Sequence, residues 1–238
     1  MMNLAKIGAC TLALSFTGAS AVRSGAADEQ TASIQIRIAS SQSDKSHAVP
    51  AVAWLEPEPG TPQVPFNTHG PYTLLQKNRT FVPHLQVIPA GSAVQFPNAD
   101  PYFHNVFSLY AGKRFDLGLY EAGATKSVTF SRVGVSYIFC NIHPEMSAVV
   151  VALSSPLYGI ANSEDSISIR NVPLGDYTLH IWVEGIPEST LSGQTRRVHI
   201  SSQNVDLGAV TLPLSETPTT KHSNKFGKPY PPVPKQPY

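Results

Sequence analysis

Sulfur is scarce in this chain. Of 238 residues only Cys10 and Cys140 carry a thiol, and beyond residue 2 the one methionine is Met146. No Cys-x-x-Cys-His occurs, which excludes covalent haem attachment of the usual kind. Charge is also sparse, with 14% charged residues and 17 basic against 16 acidic side chains. That balance leaves no basic footprint for nucleic acid. Long helical periodicity is missing. So is any apolar run of about 18 residues, the length a membrane-spanning helix needs. The longest candidate, IGACTLALSF, is shorter and broken by Gly, Thr and Ser.

That run follows Lys6 and precedes the small residues Ala19-Ser-Ala21 and Gly25-Ala-Ala27, the layout of a secretory signal peptide. Residues 1–27 are therefore expected to be removed, placing the protein in the periplasm or outside the cell. Lys6 and Arg23 would leave with them, so that 15 basic residues face 16 acidic ones and the net charge is near −1. Cys10 has no hydrophobic segment before it to make a lipidation site. Its loss leaves Cys140 alone in a compartment where cysteines normally pair, and an unpaired thiol there needs a chemical reason.

What the chain has in quantity is strand signal, which implies an all-β fold. SIQIRI, AVPAVAWL, HLQVIP, SAVQF, HNVFSL, KSVTF, SYIF and AVVVAL are alternating or β-branched runs separated by Gly, Pro and Asn, the pattern of a β-sandwich. A second cluster follows Pro156. There ISIRNVPLGDYTLHIWVEG places Tyr177, Leu179, Ile181 and Val183 on one strand face, and RRVHI and NVDLGAVTL add further strands. The expected organisation is a first sandwich over 28–153, a smaller β module over 154–213, marginal alone at that size, and a Pro-rich flexible tail over 214–238 with little to bury.

The chemistry concentrates in FCNIHPEM. Cys140, His143 and Met146 fall within seven positions on the loop between the runs ending at Phe139 and resuming near Ala148. Each taken singly reads as an inert thiol, a turn histidine and a core methionine. Together they use the chain's one remaining thiol and its one thioether beyond residue 2. A thiolate, two imidazoles and a distant thioether form the donor set of a blue-copper electron-transfer site. The second imidazole is assigned to His104, which begins a strand after the polar turn in FPNADPYFHNVFSL. His47, His69, His84, His180, His199 and His222 lack such a setting and are read as structural or surface residues.

Other chemistries fit less well. A multicopper oxidase would show several His-x-His pairs, and none occurs. A dinuclear copper centre needs two cysteines in one loop. A cysteine nucleophile would require a His–Asn or His–Asp relay and would have no use for Met146.

Cys140-x-x-His143-Pro144-x-Met146, with Phe96-x-Asn98 and His104-Asn105-Val106 upstream, resembles the ligand regions of the small cupredoxins of the amicyanin type over roughly residues 31–153. The segment from FVPHLQVIPAGSAVQFPNAD to KRFDLGLY is similar to cupredoxin-like proteins of methylamine utilisation. The run ISIRNVPLGDYTLHIW resembles carboxypeptidase-regulatory-like β modules, which are usually non-catalytic. The cupredoxin resemblance implies a Greek-key sandwich and an exported, non-enzymatic carrier of single electrons holding one copper per chain. It further implies that Asn105 ties the first-ligand loop to the cysteine loop and that a redox partner docks near His143. Asn141 and Glu145 depart from the resemblance, since Ser or Thr often follows the cysteine and an apolar residue often precedes the methionine. Two rival readings are a copper storage or delivery protein using the same ligands and a purely structural adhesion or partner-binding protein.

Overall fold

The computed structural model describes residues 31–41, 49–68, 70–109, 112–214 and 222–230. The expected signal segment 1–27, His47 and His69 lie outside them. Seventeen strands and one short helix follow in order: β1 (Thr31–Ser40), β2 (Ala51–Pro57), β3 (Tyr72–Thr73), β4 (Leu75–Lys77), β5 (Thr80–Val82), β6 (Leu85–Pro89), β7 (Ala93–Pro97), β8 (His104–Ser108), β9 (Phe115–Tyr120), β10 (Thr125–Thr129), β11 (Gly134–Phe139), β12 (Ser147–Leu153), β13 (Tyr158–Ile160), β14 (Ser166–Pro173), β15 (Gly175–Val183), α1 (Glu188–Ser192), β16 (Arg196–Ile200) and β17 (Asn204–Leu212). The expected all-β architecture is present. Every run read as a strand from its alternation is one; β3, β4, β5 and β13 are too short to carry a period.

Two sandwiches share one wall. The sheet β10-β7-β3 and the five-stranded sheet β6-β12-β11-β8-β9 enclose one core, while β14-β1-β17 and β13-β2-β15-β16 enclose the other. β12 shows why its sequence is continuously apolar instead of alternating. Ala148, Val150 and Ala152 point into the first core, and Val149, Val151 and Leu153 into the second. A strand covered on both faces has no solvent side on which to place polar residues. Burying a Val or Leu contributes about 1.5–3 kcal/mol relative to leaving it exposed, so β12, with Val87 of β6 and Val135 of β11 against the same second core, joins the two units. Trp182 of β15 adds to the seam, its ring 6.4 Å from that of Tyr137 on β11.

The expected boundary between residues 153 and 154 is corrected by the pairing. β1 lies antiparallel to β14 and parallel to β17, and β2 pairs with β13 and β15. Residues 31–57 therefore belong with the C-terminal strands, and the unit from β3 to β12 is inserted between β2 and β13. Alternation tells which side chains of β1 are buried, but a hydrophobic face does not specify which strand it will lie beside.

The tail expectation is corrected for its described part. Residues 222–230 pack against the end of the first sandwich, because this segment brings His222 and Tyr230 to aromatic and carbonyl partners that a composition count cannot register.

Candidate metal centre

β11 ends at Phe139 and β12 begins at Ser147, leaving residues 140–146 as a tight connection at one end of the first sandwich. The connection closes on itself: the Cys140 amide donates to the Met146 carbonyl (3.3 Å) and the Met146 amide to the His143 carbonyl (3.1 Å). Pairing of Phe139 with Phe107 on β8 brings the end of β8 that carries His104 beside Cys140.

His104, Cys140 and His143, three of the four sequence-predicted donors, meet there. Cys140 Sγ lies 3.8 Å from His104 Nδ1 and 3.6 Å from His143 Nδ1, and the two Nδ1 atoms are 3.1 Å apart. Among the described residues this is the one group of three donors of this kind. An ion of zinc's size takes nitrogen at about 2.0 Å and sulfur at about 2.3 Å, which in a trigonal plane sets nitrogen and sulfur about 3.7 Å apart. Both N–S edges match that span, and the N–N edge is slightly tighter. The donors thus fit a single trigonally held ion. His104, Cys140 and Met146 are fully buried, while His143 is half-buried and reaches the surface.

Burial in the metal-free site disfavours charge on Cys140 and on His143. Burial pushes the Cys140 thiol up, against amides of Asn105, Ile142 and His143 that favour the thiolate. Burial, followed by the neighbouring His104, pushes His143 down. An ion held here would displace the thiol proton, and the lowered His143 pKa favours the neutral imidazole that a metal needs.

The Asn105 backbone amide faces the cysteine sulfur. Its side-chain amide turns the other way and donates to Asp116 Oδ1 of β9 (2.7 Å).

Asp100, Tyr102 and Arg79, none of them singled out from the sequence, surround the site together with Asn98. Asn98 shapes the first-ligand loop, its Oδ1 accepting from the Asp100 amide (3.0 Å) and its Nδ2 donating to the Tyr102 carbonyl (2.8 Å). The Tyr102 ring lies 5.4 Å from that of His104 and 5.6 Å from that of His143, with the Arg79 guanidinium 5.4 Å from the Tyr102 centroid. Asp100, buried among these, accepts from His104 Nε2 at 2.8 Å. Burial pushes its carboxyl up, but hydrogen bonds from the Arg79 amide, His104 and the Asn78 amide outweigh that and hold it below the usual range.

The 222–230 segment straps the other side. The His222 ring stacks on Phe139 at 3.9 Å, and Tyr230 Oη donates to the Cys140 carbonyl (2.7 Å). The Lys225 amide donates to Asn141 Oδ1 (2.9 Å), and its ammonium pairs with Asp116 Oδ2 (2.6 Å). Asn141 is therefore one anchor of the strap on the 140–146 loop, beside the Cys140 carbonyl.

No family model and no curated protein matches the chain. Among solved structures, the copper-containing nitrite reductase of Thermus scotoductus SA-01 is similar with 23% identity and a TM-score of 0.34 over 35% of this chain and 22% of that one. A purple cupredoxin from Nitrosopumilus maritimus is similar with 22% identity and a TM-score of 0.32, covering 34% of this chain and 99% of its own. Amicyanin from Paracoccus versutus is similar with 21% identity and a TM-score of 0.33, covering 35% and 81%.

Proposed function

We propose that this protein is an exported mononuclear copper protein that carries single electrons, in which His104, Cys140 and His143 would hold the copper and Met146 would be a weaker fourth donor. The observation that supports it most directly is the buried Nδ1–Sγ–Nδ1 triangle, with edges of 3.1–3.8 Å, formed by one thiol and two imidazoles. Soft thiolate and borderline imidazole donors in a trigonal set with a distant thioether suit copper in both oxidation states.

Copper, when bound, supplies the one-electron couple. The chain's contribution is to hold its donors where neither state requires them to move. The closed 140–146 loop, the Tyr102 ring against both imidazoles and the strap on Cys140 all restrict the donors. A fixed donor set costs little reorganisation on electron transfer, as preorganised sites generally do. His143 is the half-exposed donor, and the exposed Ile142 and Phe103 stand beside His143 and His104 in the chain, which supports docking of the redox partner near His143. A storage or delivery protein would use the same atoms but would need them open to exchange, and three of the four are buried.

The test is reconstitution of the processed protein with Cu(II) and a visible spectrum. An intense blue band that bleaches on mild reduction is expected, at one copper per chain, and Cys140→Ser should abolish it, because the charge-transfer band requires the thiolate bond. Full colour in Cys140→Ser, or ready loss of copper to an apo-acceptor without reversible cycling, would sink the proposal.

A further inference from the structure

The two imidazoles of the donor triangle are not equivalent. His104 has no exposed surface, and its far nitrogen, Nε2, meets the carboxylate of Asp100, itself 4% exposed. That carboxylate is itself fixed. Its Oδ1 accepts from the Asn78 amide at 2.6 Å and its Oδ2 from the Arg79 amide at 3.0 Å. Both amides belong to the two-residue turn between β4 and β5, where Asn78 and Arg79 adopt φ of 54° and 56°. Left-handed backbone at two successive non-glycine positions is uncommon, and here it turns both amides onto one carboxylate. The hairpin tip therefore aims a negative charge at the back of a metal-facing ring.

We propose that Asp100 is a positioning residue that fixes His104 as the Nε2–H tautomer and, through the imidazole, lowers the reduction potential of the copper site. An ionised carboxylate has only acceptor atoms, so the shared proton sits on Nε2 and Nδ1 is left with its lone pair toward Cys140 and His143. A buried carboxylate behind a ligating imidazole raises the basicity of that ligand. It also adds a nearby negative charge, which stabilises Cu(II) more than Cu(I). His143 faces the same point from a half-exposed loop and, among the described residues, carries no such carboxylate.

This inference rests on the copper reading above, and its experiment separates the two. The first measurement uses the metal-free wild type, in which ring 15N–1H correlation spectra should report His104 as the Nε2–H tautomer; an Nδ1–H tautomer would overturn the proposal without any copper being present. The second compares copper-loaded wild type with Asp100→Asn, which keeps an oxygen of the same reach but removes the charge. Loss of an outer-shell partner typically costs about 10–100-fold in metal affinity. If Cu(II) loses tenfold relative to Cu(I), the midpoint rises by about 59 mV. A blue Asp100→Asn protein with the wild-type midpoint would overturn the inference and leave the copper reading standing, reducing Asp100 to a staple between the hairpin and the ligand loop. A wild type that takes up no copper would overturn the copper reading, and with it the proposed effect on potential, while the tautomer measurement still decides what Asp100 does to His104.

Discussion

Met146 lies wholly buried at the end of the ligand loop, with its amide and carbonyl both used to close that loop. Its backbone role is structural whatever its sulfur does, so the side chain must be tested separately. If the thioether is the weak axial donor, Met146→Leu should keep the blue colour, since the Cys140, His104 and His143 plane remains. The midpoint should then rise because donation to Cu(II) is lost. Met146→Gln, with a stronger oxygen donor, should lower it. A side chain that only fills the core would tolerate Leu at a cost under about 1.5 kcal/mol and leave the potential where it was. Voltammetry on the three proteins distinguishes these cases, and equal midpoints would remove Met146 from the site.

Among the elements, the strap over 222–230 has the most to lose on deletion. It covers Phe139, Asn141 and the Cys140 carbonyl, and its Lys225 joins Asp116, which also holds the Asn105 side chain. Removal of residues 215–238 is therefore expected to shift the visible spectrum and speed copper loss. An unchanged spectrum and loss rate in the truncated protein would show that the strap does not brace the site. The point variant Tyr230→Phe isolates one contact. Loss of a hydrogen bond costs about 1 kcal/mol, about 2–4 °C in Tm for a chain of this size, and a melting curve identical to the wild type would mean that the Tyr230 to Cys140 bond carries no stability.

At the scale of the whole molecule, the shared sheet makes the two sandwiches one folding problem, and His84 clips their seam. Its Nε2 lies 2.9 Å from both Glu184 oxygens at the end of β15, while Nδ1 faces the Ser147 carbonyl at 3.1 Å. The hydrogen bond to Glu184 is the main reason its pKa is raised above 6.5, against a smaller opposing effect of burial. A histidine whose folded pKa exceeds its unfolded one adds stability that is fully present below the unfolded value and is lost as pH rises through the folded one. The Tm gap between wild type and His84→Gln should therefore be wide at about pH 5.5 and narrow at about pH 8.5. A gap that widens with pH in thermal melts would contradict the clip.

The grouping of His104, Cys140 and His143 was legible in the sequence because it is largely local: Cys140 and His143 lie on one short loop, and a chain with a single remaining thiol draws attention to it. Strand positions were legible for a similar reason, since alternation in β1 or β15 records which side chains leave water. Partner choice was not. β1 finds β14 and β17, and the unit bearing the candidate metal site is inserted between β2 and β13, because many strands offer equivalent apolar faces and only simultaneous packing selects among them. Asp100 and the strap were hidden for a different reason. A carboxylate four residues before a histidine, or a tyrosine in a Pro-rich tail, has no distinguishing pattern along the chain. Their meaning comes from where a hairpin turn and a returning segment deliver a charge, a ring and a hydroxyl, and those placements exist only once distant segments have folded together.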